Sequence, residues 1–151
     1  MNDPSQSLMD VLGMQFRQLT ADEVVVTMPI TSRTHQPYGM LHGGASVALA
    51  ETAASIGTAA QLDLTREMAV GLEINANHVK AKRDGEVTAR AVPVHRGRRT
   101  WVWDVRITDE QQQLICIARC TVAIVPKPPG VTIEWPGWSD LTAGPDSAGH
   151  Q

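Results

Sequence analysis

Between Leu41 and Leu62 the chain is mostly Ala, Val, Leu and Gly, and its only acid is Glu51. A carboxylate on a face that otherwise reads as core is costly unless something compensates it. Such a group can attack an electrophilic carbon or take a proton from water, and the residue type does not separate these two routes. Gly43 and Gly44 stand at the start of the same run, where backbone N–H groups lack intrahelical partners. With no side chain in the way and a helix dipole behind them, they could hold a developing oxyanion. Ser55, four residues past Glu51, shares its helical face and could hydrogen-bond it or a water. The Gln36 amide could orient a carbonyl or a nucleophile. His42 lies just before the helix, where a cap or a packing group is as natural as an active one.

Gly43 and Glu51 are eight positions apart, roughly 12 Å along a helix axis. A helical Glu leans toward the N-terminus but recovers only about 4–5 Å of that. Both groups are needed within about 3 Å of one reacting centre. One helix can hardly supply both, so the spacing predicts a site shared across a two-fold interface, each subunit bringing half.

The elements around these residues read as follows. Ser5 to Val11 is a candidate leading helix, and Asp22 to Ile30, β-branched and alternating, a strand. Ala45 to Leu62 is apolar nearly all round, the pattern of a buried helix about 27 Å long. Met68 to Lys80 alternates, with Met68, Val70, Leu72, Ile74, Ala76 and His78 on one face. Asp84-Gly85 signals a turn before a strand from Glu86 to Arg96, in which Pro93 marks a bulge or an edge. Thr100 to Thr108 sets Trp101, Trp103, Val105 and Ile107 on one side, and Asp109 to Gln112 turns into a strand from Leu114 to Val125. Four strands joined by short connections predict an antiparallel meander. One buried helix and one long sheet make an α+β fold, the sheet wrapped around the helix. From Pro126 the chain turns Pro- and Gly-rich and loses periodicity. Residues 1–125 are therefore expected to be one domain and 126–151 a tail, where Trp135 and Trp138 could dock locally.

The length of 151 residues suits one domain. A net charge of −3 supplies no basic field for nucleic acid or anionic membrane. Glu51 and Gly57 interrupt the longest apolar segment, which is too short to span a bilayer. The first ten residues lack the basic start and apolar stretch of a signal peptide, so a cytoplasmic protein is expected. Cys116 and Cys120 share one strand roughly 13 Å apart, beyond the ~7 Å reach of a disulfide. They read as buried free thiols. No metal-ligand spacing is visible.

Two stretches, "THQPYGMLHGGASVALAET" and "GLEINANHV", resemble the hotdog-fold acyl-CoA thioesterases. The resemblance covers about Leu12 to Val125. It is strongest to the bacterial group that includes 1,4-dihydroxy-2-naphthoyl-CoA thioesterase and the proofreading thioesterase of enterobactin synthesis. It implies that Glu51 is the catalytic carboxylate and that Gln36, His42, Gly43 and Ser55 fall on other active-site positions. His78 matches a histidine near the bound thioester. The segment His95 to Thr100, with Arg96, Arg98, Arg99 and Thr100, matches a region that approaches the pantetheine and phosphates of coenzyme A. Sites between subunits, and dimers paired into tetramers, are likewise implied. No cofactor is expected, because coenzyme A is part of the substrate. A thiol with a pKa near ~8.5 leaves readily, so hydrolysis needs no strong general acid.

Other readings compete with these. Glu51 could pair with a buried Arg or with His78 as a structural acid, and Ser55 could be only a small residue in a packed helix. The three arginines also suit a solvated strand end, and Trp101 and Trp103 suit the core. A hydratase or dehydratase of the same fold would need an acid/base pair for β-elimination, typically His with an acid, and no such motif is present. A non-catalytic acyl-CoA sensor would need an output module, for which the short segment before the first strand leaves no room. Hydrolysis of aromatic or medium-chain acyl-CoA esters is the expectation these comparisons favour.

Overall fold

A computed structural model describes residues 6–132 together with Trp138 and Leu141. Trp135 and most of the tail lie outside the described residues. The elements are α1 (Leu8–Val11), β1 (Gln15–Leu19), β2 (Val24–Pro29), α2 (Gly43–Ala59), β3 (Glu67–His78), β4 (Glu86–Arg96), β5 (Thr100–Thr108) and β6 (Leu114–Pro126). The strands form one antiparallel sheet in the order β1-β2-β4-β5-β6-β3, and α2 packs against β2 through β6. This is the hotdog arrangement of a sheet curved around one long helix.

α2 begins two residues before the expected Ala45 because the His42 side chain caps its first turn. It ends three residues before Leu62, where Ala60 and Gln61 turn back onto Ile56 and Thr58. Its inner face is built of small residues (Ala45, Ser46, Ala50, Ala53, Ala54, Gly57) around Leu49, so the helix sits close on the sheet. Trp103, fully buried, donates its indole N–H to the Thr58 hydroxyl at 2.9 Å, and Thr58 donates to the Ala54 carbonyl. Trp101 and Trp103 are thus core, as expected.

A Cβ at Gly57 would lie 2.7 Å from the Trp103 ring and 2.8 Å from Val24. Alanine gains up to about 1 kcal/mol of helix propensity, but overpacking two immobile side chains costs about 1–3 kcal/mol. Overpacking should win. Gly57→Ala is expected to lower stability by about 1–2 kcal/mol in urea unfolding, and an unchanged midpoint would show that α2 can shift.

Three expectations are corrected. The last four strands do not follow one another as a meander, because β3 pairs with β6 and, of these four, only β4-β5-β6 are sequential neighbours. The connection 79–85 carries the chain past the β5–β6 turn, where Lys82 meets Glu110 at 2.7 Å and Gly85 packs on the same carboxylate. Backbone bonds then tie it to the site loop (Leu41 N–H to Lys82 O, 2.8 Å) and to β2's end (Ile30 N–H to Gly85 O, 2.8 Å).

The second correction concerns β3, whose apolar residues do not share one face. A bulge between Gly71 and Glu73 shifts its register against β6. Ile74 and Ala76 pack on the core after the bulge and Ala69 before it, while Val70 and Leu72 are 40% and 63% exposed. Pro93 does mark a bulge, between Pro93 and His95.

The third concerns α2, which is not buried all round. Its outer face, with Val47, Ala48, Glu51, Thr52, Ser55 and Ile56, is only half-buried. One chain covers one side of an apolar helix, and β3 beside it is an edge strand of 12 residues.

Candidate active site

The site loop is held by a tight turn. The Gln36 carbonyl accepts from Gly39 N–H, Met40 O accepts from Gln36 N–H, and Gly39 takes a φ of +75° that favours glycine. The Gln36 side-chain oxygen accepts from Tyr38 N–H at 2.5 Å. Its NH2 is then the end left for a ligand. His35 bonds the Arg83 carbonyl at 2.7 Å, which fixes the loop to the 79–85 connection.

At the helix start, His42 Nδ1 accepts from Gly44 N–H at 2.7 Å. Gly44 is therefore not a free donor, which narrows the paired-glycine reading to Gly43. The Gly43 N–H has no acceptor among the described residues. His78 lies against it, since a Cβ at Gly43 would be 2.8 Å from His78 Nε2. Gln36, Gly43, Ser46 and His78 border one cleft of about 330 Å³ whose other walls include Met40, Leu41, Val79 and Ile115. His78 does face the core side, as its alternation with Ile74 and Ala76 predicts, but beyond the core's edge and exposed.

Glu51 is elsewhere. Its carboxylate rests on Gly71, where any Cβ would overlap the carboxylate oxygen. Among the described residues it makes no hydrogen bond and no ion pair. No pairing of Glu51 with an Arg or with His78 is therefore present among the described residues. Ser55 stands half-buried on the same outer face, its hydroxyl also unbonded. Gly43 meets β3 at His78 and Glu51 meets it at Gly71, seven positions away and roughly 20 Å along the strand. Within one chain the acid and the free N–H stay apart.

Below Glu51, burial, followed by the charges of Glu51 and Glu73, pushes the Cys120 thiol up to about 12. Burial also raises Cys116. Both are free and buried as expected, and neither is a thiolate nucleophile at neutral pH. Among the described residues no group of His, Cys, Asp or Glu could hold a metal ion, and no helix is long and apolar enough to cross a membrane.

The arginines divide. Arg96 bonds the Ala21 carbonyl, reaches Asp22 at 3.5 Å and stacks over Trp101 at 5.8 Å, so it is committed within the fold. Arg98 and Arg99 are exposed and make no side-chain bond among the described residues, and Thr100 opens β5 beside them. Gln61, past the end of α2, also reaches Ala21. This turn therefore lies by the C-terminal end of α2, away from Gly43.

Two residues with a part in this geometry were missed in the sequence. Gly71 carried a signal, an isolated glycine inside a strand pattern, which marks a bulge or a close approach. Ser46 carried none, because a serine in the first turn of a helix is commonplace.

The sequence and fold match known proteins. The Thioesterase superfamily model matches residues 38–116. A Bacillus subtilis protein, ComA2, is 53% identical over 125 residues, covering 83% of this chain and 99% of its own. The 1,4-dihydroxy-2-naphthoyl-CoA hydrolase of Listeria monocytogenes is 47% identical over 120 residues, 80% of this chain and 97% of that one. A Staphylococcus aureus thioesterase, solved with alanine replacing one glutamine, superposes with TM-score 0.77 and 46% identity over 79% of this chain and 98% of its own. The same protein, solved with alanine replacing one glutamate, gives TM-score 0.79. That glutamate follows that glutamine by fifteen positions, the spacing of Glu51 from Gln36 here.

Proposed function

The chain belongs to the thioesterase superfamily and is a thioester hydrolase, and on that premise we propose that it cleaves aromatic or medium-chain acyl-CoA esters. The products are the free acid and coenzyme A. The Gly43 N–H takes the thioester carbonyl oxygen, the Gln36 NH2 and His78 position the acyl group, and Ser55 holds Glu51 or its water. His42 acts by capping α2, which aims the Gly43 N–H into the cleft. Glu51 attacks the carbonyl carbon itself or deprotonates the attacking water. The thiolate leaves without a strong acid, and no cofactor enters the reaction.

The observation that carries this reading is Glu51, a carboxylate without hydrogen bond or ion pair among the described residues, on a half-open apolar face. A chain that did not use it would gain by replacing it. The reading requires a second subunit. Two copies joined through the β3 edge and the outer face of α2 would cover both, and would bring the partner's helix start to Glu51. Antiparallel helices also bring Arg98, Arg99 and Thr100, at the far end of α2, toward the partner's cleft, where the arginines suit the phosphates of coenzyme A. Val70, Leu72 and Val92, exposed on the sheet, offer a surface for pairing dimers into tetramers. The protein is expected to work in the cytoplasm.

The shared site has a direct test. Glu51→Gln and Gly43→Val subunits, each inactive alone, are unfolded and refolded together, and thiol release from benzoyl-CoA is followed. A mixed dimer holds one intact site, so about a quarter of wild-type activity is expected from statistical mixing of equal subunits. Mixed dimers seen by mass spectrometry but without activity would rule out a split site.

A further inference from the structure

The hydroxyl of Ser46 is the feature that this reading leaves without a task. The residue is 1% exposed, yet its side chain has no hydrogen-bond partner among the described residues. Its local partners are engaged by backbone. The His42 carbonyl accepts from Ala45 and Ser46 N–H, and the His42 N–H is given to Thr34 O at 2.7 Å. No polar side-chain atom is both sealed from solvent and unbonded among the described residues. The Ser46 hydroxyl therefore keeps its small exposure, and the space it borders is the cleft of Gln36, Gly43 and His78. Alanine would be the better helix former there and would leave no unpaired hydroxyl.

We propose that Ser46 is a specificity residue whose hydroxyl hydrogen-bonds an oxygen on the acyl carbon β to the thioester carbonyl, as in a 2-hydroxyaroyl group. The proposal rests on the reading that Gly43 holds the carbonyl oxygen. Ser46 follows Gly43 by three positions, about 4.5 Å of rise. Its side chain leans back toward the helix start, which brings the hydroxyl to the same corner of the cleft. An oxygen on the β-carbon lies beside the carbonyl oxygen, so a group fixed at Gly43 presents that oxygen to Ser46. Much of the remaining wall is apolar (Met40, Leu41, Val79, Ile115), with Lys80 also lining the cleft. An unsubstituted acyl group fills them but leaves the hydroxyl unpaired. A site built to bond a substrate oxygen discriminates against the analogue lacking it.

The test compares wild type and Ser46→Ala on 2-hydroxybenzoyl-CoA and benzoyl-CoA by thiol release. The ratio of kcat/KM for the two esters is expected to fall on the order of 10-fold in the variant, with a melting temperature no lower than wild type. An active Ser46→Ala enzyme with an unchanged ratio overturns the assignment, whether both esters lose equally, as a pantetheine contact would predict, or neither does. Wild-type protein that releases thiol from neither ester would instead refute the aromatic-acyl reading, and the Ser46 assignment with it.

Discussion

Glu51→Gln keeps the side chain's shape, removes its charge and basicity, and is expected to lower kcat on the order of 10²–10⁴-fold. KM should move little, because the lost interaction acts on the attacking atom rather than on binding. Thiol release at near wild-type rate would remove Glu51 from the chemistry. The stability of Glu51→Ala separates chemistry from structure. Breaking a buried ion pair costs about 3–5 kcal/mol, but Glu51 has no such partner among the described residues. Alanine supplies helix propensity and relieves an apolar face of a charge. The variant should melt no lower than wild type, and a drop of many degrees would mark Glu51 as structural.

Gly71→Ala is expected to separate activity from stability in the same way without touching the acid. Gly71 is not among the residues with positive φ, so its backbone accepts alanine, which loses less entropy on folding. Among the described residues, the three atoms nearest the new methyl all belong to the Glu51 side chain. The carboxylate can swing aside at little conformational cost, but it then leaves its place. A displacement of about 1 Å can cost roughly 10² in rate, and kcat is expected to fall by about that factor while the unfolding midpoint holds. The effect should vanish for stability and activity alike when Gly71→Ala is added to Glu51→Ala, since no carboxylate remains to move. Undiminished activity in the single variant would mean that the Gly71 contact does not position the acid.

What was legible in the sequence was local. The apolar run around Glu51 reads as a helix because its propensity and length are properties of neighbouring residues. The alternation in Thr100 to Thr108 placed Trp101 and Trp103 in the core, and Pro93 announced its bulge, for the same reason. The eight-residue gap between Gly43 and Glu51 predicted their separation from helix geometry alone, and the two do contact β3 seven positions apart, at His78 and at Gly71.

What needed the tertiary structure was set by partners distant in sequence. β3 pairs with β6 across 38 to 59 positions, and nothing within Met68 to Lys80 names that partner. The bulge at Gly71 exists only relative to β6, yet it turns Val70 and Leu72 outward and leaves Gly71 under the carboxylate. Arg96 read like Arg98 and Arg99, until the fold gave it Ala21, Asp22 and Trp101. His42 and Gly44 spend their bond on each other, which leaves Gly43 as the free donor. Periodicity assigns a residue to a face, whereas hydrogen bonds are exclusive, so only the assembled chain decides which polar groups remain unpaired and available for chemistry.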